Sequence, residues 1–161
     1  MHSSSNIYNK IWSKAFLSSL FIVQNKWHQH GVLTHTLRVT YYCLKAGDFS
    51  MIGAGLLHDV GKPFTAFKKD EEDYDFNEWS FTDHEERSYQ IIKNWPFISQ
   101  YTKDLVRYHY LIRDIKKSKK NDPERYTQKT AIWNTLDEKM HEDLYRFLSY
   151  DDAGKGNKRR E

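Results

Sequence analysis

The chain has 161 residues, of which 39% are apolar, 29% charged and 16% aromatic, with a formal net charge of +3 and a pI of about 8.8. That is one ordinary domain with a core of its own, too apolar for a disordered chain and too mildly basic for a dedicated nucleic-acid binder. One cysteine, Cys43, excludes an internal disulfide and fits a reducing compartment such as the cytoplasm.

Ile7, Ile11, Trp12, Phe16 and Leu20 recur at helical spacing and predict a helix over 7–24 that packs on the rest. Within it, residues 15–23 form the longest apolar stretch, short of the roughly 18 residues a membrane span needs and without the flanks of a signal peptide. Residues 25–31 read as a loop. A second helix is expected over about 32–46, ended by Gly47, with Cys43 as a buried structural thiol in its apolar run. Ser50 reads as the N-cap of a third helix, 51–58, which stops before Gly61 and Pro63.

Residues 62–81 are polar, acidic and aromatic without a period and read as a long loop over a site. Asp83 reads as the cap of a fourth helix that carries His84 and ends before Pro96. A fifth helix fits 99 to about 115, with Leu105, Val106, Leu111 and Ile112 on one face. Residues 116–123 read as a charged connection, and 124–150 as two helices broken near 136–140. Three prolines, seven glycines and no strand signal predict an all-α bundle of six or seven helices. It is read as a single domain over 1–161, with its core at about 27–155 and a basic tail over 155–161.

His58 and Asp59 decide the chemistry. They follow the apolar run Ala54, Gly55, Leu56, Leu57, where an adjacent imidazole and carboxylate are costly unless something satisfies them. A divalent cation would do so, and this donor pair suits a hard or borderline ion. Other candidate ligands, His35, His84, His109 and Asp151, each stand on a separate predicted helix. A bundle can bring such inward-facing groups to one point.

The order His35, His58-Asp59, His84, His109, Asp151 resembles the HD superfamily of metal-dependent phosphohydrolases. The flanks extend the resemblance. His35 lies in Trp27-His28 … Thr34-His35-Thr36-Leu37, and the pair lies in Leu57-His58-Asp59-Val60-Gly61-Lys62-Pro63. His84 precedes Glu85, His109 follows Leu105-Val106, and Asp151 opens a run reaching Gly154 and Lys155. The set looks most like the HD domain of bacterial tRNA nucleotidyltransferases and of RNA-end repair enzymes. No nucleotidyltransferase head accompanies it, so a free-standing HD domain is expected.

The resemblance implies a metal set of His35, His58, Asp59 and Asp151, with His84 and His109 binding a second metal or the substrate phosphate. Asp59 would also orient the attacking water. One or two divalent ions are implied, with manganese, nickel, cobalt, iron, magnesium and zinc all open. Gly154 and Lys155 favour Asp151 over Asp152 as the last ligand.

Arg38 and Lys62 are candidates for phosphate contact, against an ion pair within the bundle and a structural cap respectively. Arg113 is a further candidate. His28 reads as a surface loop residue that could touch a phosphate, and Tyr74, Phe76 and Trp79 as core cover that could stack on a base. The runs Lys116 to Lys120 and Lys155 to Arg160 read as solvated, or as contacts to nucleic-acid phosphates.

The expected activity is hydrolysis of phosphoester bonds in nucleotides or RNA ends, as a 2′,3′-cyclic phosphodiesterase or phosphatase. A 5′-nucleotidase or dNTP triphosphohydrolase and a catalytically silent nucleotide-binding module are the alternatives. The expected partner is the phosphate substrate, with no membrane and no obligate protein partner.

Overall fold

The computed structural model describes residues 23–156 apart from residue 76, and it is all-α with one two-residue strand pair. Eight helices are present among the described residues. They are α1 (Val32–Lys45), α2 (Ile52–Leu57), α3 (Glu71–Asp75), α4 (His84–Ile92), α5 (Gln100–Tyr108), α6 (Leu111–Asn121), α7 (Pro123–Thr135) and α8 (Glu138–Lys155). The expected helix over 7–24 lies outside the described residues except at its end. There Val23 forms a bridge to Gly31 instead of helix. The basic tail is described only as far as residue 156.

α1 buries Val32, His35, Val39 and Cys43 along one stripe, the three- and four-residue spacing of an amphipathic helix. Gly47 ends it in the left-handed region at φ 78°, where a side chain would be strained. Cys43 is fully buried, and burial first, then Asp48, pushes its thiol up to about 11, the inert structural thiol expected. A 3-10 turn over Phe49–Met51 leads into α2. Ser50 lies inside that turn and therefore caps no helix.

Three helix starts follow their capping residues. Ser99 accepts from the Thr102 N–H at the start of α5, Asp122 from the Arg125 N–H at the start of α7, and Asp137 from the Met140 N–H at the start of α8. Asp83 does precede α4, but its left-handed backbone (φ 51°) keeps it from capping. Its carboxylate pairs with Arg125 at 2.8 Å instead.

Three further expectations are corrected. Residues 99–115 form not one helix but two, α5 and α6, which break at His109-Tyr110. His109 Nδ1 lies 2.8 Å from the Val106 carbonyl, the oxygen that the next helical turn would use. The charged stretch after residue 116 is then the rest of α6, which runs to Asn121. The loop over 62–81 is also partly ordered. Strands β1 (Ala66–Phe67) and β2 (Ser80–Phe81) pair antiparallel around α3.

α8 packs along α1, α1 on α2, α4 on α5, and α6 on α7. Their shared core includes Val39, Met51, Ala54, Ile92, Leu105, Val106, Leu144 and Phe147. Each large side chain there contributes about 1.5–3 kcal/mol. No described helix is long and apolar enough to cross a membrane.

Candidate metal centre

The helices deliver their histidines to one point by one device. His58 at the end of α2, His84 at the start of α4 and His109 at the end of α5 each bring Nδ1 to the carbonyl three residues earlier. The distances are 2.9 Å to Gly55, 3.1 Å to Phe81 and 2.8 Å to Val106. A carbonyl only accepts, so Nδ1 carries a proton in each, and Nε2 keeps its lone pair whenever the ring is neutral. At His58 and His109 the same contact takes the carbonyl that would continue the helix.

The three Nε2 atoms, together with that of His35, surround Asp59. Oδ2 of Asp59 lies 3.5 Å from His35 Nε2 and 3.3 Å from His58 Nε2. Its Oδ1 lies 3.5 Å from His84 Nε2 and 4.0 Å from His109 Nε2. The His35 and His58 nitrogens are 3.4 Å apart. Asp151 completes the cluster with Oδ1 at 2.8 Å from His35 and 3.9 Å from His58. Donors bound at about 2.1 Å to one ion sit about 3.0–3.4 Å from their neighbours. The His35–His58–Asp59 separations fit that spacing, and both this triad and Asp59–His84–His109 can hold a cation, with Asp59 common to the two.

Charge favours a cation as well. Burial would raise the Asp59 carboxyl, but His58 and Lys62 outweigh it and hold it well below the usual carboxylate range. Burial likewise opposes the charge of Asp151, and His35 and Arg113 overcome it. Burial first, then Lys62, pulls His84 down to about 4. Burial and then His58 lower His109. These imidazoles are neutral, as ligands must be. Burial works against charge on His58, yet Asp59 pushes it up, so a bound cation would displace a proton there.

Two close approaches hold the frame. A Cβ on Gly61 would lie 2.5 Å from the His84 carbonyl oxygen and from the Ser88 nitrogen. There the Gly61 N–H donates to Ser88 Oγ at 2.9 Å, and that hydroxyl donates to the His58 carbonyl at 2.7 Å. The His-Asp turn is thereby fixed to α4. A Cβ on Gly154 would meet Val39 at 2.5 Å and the His35 ring at 3.2 Å, so glycine lets α8 bring Asp151 against α1.

The basic candidates divide. Lys62 is buried beside the cluster, 2.7 Å from Asp59 Oδ2, with Gln24 Oε1 as its other partner. Arg113 grips Asp151 and reaches Asp152 at 2.6 Å. Arg38 is not among the residues that line the cavity. It donates to the Gly154 carbonyl at 3.1 Å and the Ala153 carbonyl at 3.4 Å, because the last turn of α8 leaves those oxygens without helical partners. Asp152 is 58% exposed at its side chain and pairs with Lys155 and Arg113, whereas Asp151 points inward.

The cluster opens into a cavity of about 930 Å³ lined by Lys62, Lys69, Arg113, Lys117 and Lys155 and by the aromatic groups Trp27, Phe67, Phe81 and Tyr110. Of the aromatic residues singled out from sequence, Tyr74 and Trp79 are not among the cavity-lining residues. Tyr74 is exposed, Trp79 lies under Lys68, and Phe76 is outside the described residues. Sequence reasoning undervalued His28, which lines the cavity, and missed Tyr110, whose ring stands 5.3 Å from that of His84. Adjacency to His109 was the available signal for Tyr110. A third acidic group, Asp83, Glu85 and Asp114, already holds Arg125 and Lys129.

Among family comparisons, residues 32–142 match the HD domain. No curated protein matches the chain. The matched segment carries every candidate ligand except Asp151, which the fold alone brings to the cluster.

Proposed function

The chain belongs to the HD domain family, a superfamily of metal-dependent phosphohydrolases, and from that premise we propose that it hydrolyses phosphoester bonds in nucleotides or RNA ends. The observation that carries the reading is the convergence of four imidazole Nε2 atoms on the two oxygens of Asp59. A divalent ion held there would polarise a phosphoryl oxygen and acidify water.

His35, His58, Asp59 and Asp151 would hold that ion. His84 and His109, on the other oxygen of Asp59, would hold a second ion or meet the phosphate. Lys62 fixes one Asp59 oxygen and sets an ammonium where charge gathers on phosphorus oxygens in the transition state. Arg113 keeps Asp151 aimed inward and lines the cavity. Lys69, Lys117 and Lys155 at the rim attract a polyanion such as an RNA end. Phe81 and Tyr110 bound a space large enough for a nucleoside. The buried, unreactive thiol of Cys43 accords with a cytoplasmic enzyme.

A metal panel tests this. Metal-stripped protein given single divalent metals should hydrolyse one or more of 2′,3′-cyclic AMP, 2′-, 3′- and 5′-nucleotides, dNTPs and bis-p-nitrophenyl phosphate. Demonstrated metal binding with no turnover of any of them would overturn the reading.

A further inference from the structure

His28 belongs to neither histidine pair around Asp59, yet it lines the same cavity. Its ring stands edge-on to that of His35, with centroids 5.1 Å apart. The loop that carries it is fixed by Asn25. The Asn25 carbonyl accepts from the His28 N–H at 2.9 Å. Asn25 Oδ1 accepts from the Trp27 N–H at 3.2 Å and lies 3.0 Å from His28 Nδ1.

These contacts determine a tautomer. A backbone N–H can only donate, so the Asn25 atom it meets is the amide oxygen, and an oxygen acceptor requires the proton on His28 Nδ1. The neutral ring then carries a bare lone pair at Nε2. No described residue bonds that nitrogen, and the side chain is only half-buried. A bare imidazole nitrogen accepts a hydrogen bond. It cannot donate one to a phosphate oxygen, so a phosphate contact, the lesser of the two readings the sequence offered beside a surface loop position, does not follow from this tautomer.

We propose that His28 is a specificity-determining residue that accepts a hydrogen bond from a substrate hydroxyl next to the scissile phosphoester. The preferred substrate class is then a phosphomonoester on one oxygen of a vicinal diol, such as a 2′- or 3′-nucleotide or an RNA terminus. The inference rests on the phosphohydrolase reading. Position supports it, because His28 adjoins His35, whose Nε2 faces Asp59 and Asp151. A phosphoryl group at that centre brings its ester carbon and the next carbon within reach of one neighbouring ring. A 2′,3′-cyclic phosphate has both oxygens esterified and offers no such hydroxyl, so the monoester is selected over the cyclic diester. A 2′-deoxy compound leaves the nitrogen unmatched.

The test compares adenosine 3′-monophosphate with its 2′-deoxy analogue in wild type, His28→Ala and His28→Gln, with metal content measured throughout. The wild type should favour the ribo compound in kcat/KM by about tenfold, the worth of one hydrogen bond. In His28→Ala that ratio should fall toward one with metal retained, and in His28→Gln the amide oxygen should restore part of it. A ratio of one in wild type, or an equal loss on both compounds in His28→Ala, would overturn the proposal. The affinities of metal-loaded protein for the same two compounds, read by calorimetry, give a second measure. If wild type turns over neither compound, the hydrolase reading fails for this pair, while a ribo preference in binding that His28→Ala abolishes still supports the contact. Equal affinity, or no binding of either, overturns it.

Discussion

His35 in the first turn of α1 and Asp151 near the end of α8 meet at 2.8 Å, so the first and last described helices close on the same centre that the His58-Asp59 turn supplies. The centre thus ties the bundle together as well as equipping it for chemistry. If it holds metal, metal and stability are linked, because a ligand that binds only the folded state stabilises it.

Chelation should therefore lower the melting temperature. At free metal a thousandfold above its Kd the linkage is about 4 kcal/mol, several degrees for a chain this size. Calorimetric scans with and without chelator, with metal content measured, read it directly. An unchanged melting temperature after proven metal removal would sink the idea that the centre joins α1, α2 and α8.

Gly61→Ala should destabilise the fold by about 1–3 kcal/mol, since its Cβ would meet backbone atoms at 2.5 Å that cannot swing aside as a flexible side chain can. Urea unfolding gives the number. A cost of a few tenths would mean that the His-Asp turn can shift off α4 freely.

Arg38→Ala and Lys62→Met should part company. Arg38 holds carbonyls at the end of α8, and its loss should cost about 1–2 kcal/mol of stability. Lys62→Met should keep its metal and lose about a hundredfold in kcat, the scale of one lost transition-state contact. Release of metal by Lys62→Met would show instead that Lys62 is there to hold Asp59.

Stability should also fall at acid pH through Asp114. Burial opposes its charge, but hydrogen bonds from Arg125 and Lys129 outweigh burial and depress its pKa. A depressed carboxylate contributes fully above its unfolded pKa, about 3.9, and that contribution is lost as pH falls through the lower folded value. Asp114→Asn should thus be less stable than wild type at neutral pH and should lose less stability on acidification below about pH 4. Identical acid limbs in urea titrations would exclude Asp114 as a contributor.

The sequence made His35, His58, Asp59, His84, His109 and Asp151 legible as candidates because the His58-Asp59 pair ended one predicted helix and each of the others lay on a helix of its own with recognisable neighbours. Their pairing across Asp59 was not legible, since it depends on where the helices end. The break at His109 was hidden because apolar spacing continues through Leu111 and Ile112 without proline or glycine, and a side-chain contact to a carbonyl leaves no periodic trace. The β1–β2 pair is two residues per strand, too short to show alternation. The carbonyl partners of Arg38 at Ala153 and Gly154 were not legible because they come from the far end of the chain. His28 owes its tautomer to a turn at Asn25 that composition does not announce.

Within the centre, Asp151→Asn should lose metal and turnover, whereas exposed Asp152→Asn should do much less. A dead Asp152 variant beside an active Asp151 variant would reverse the choice between them.

The central claim is that Asp59 is the hub of a metal-dependent hydrolytic site. The direct measurement is bound metal and phosphoesterase turnover in Asp59→Ala, with helicity checked by circular dichroism. The account predicts a folded protein with reduced metal content and turnover down by at least about a thousandfold. Folded Asp59→Ala protein with wild-type metal content and near-normal turnover would contradict it.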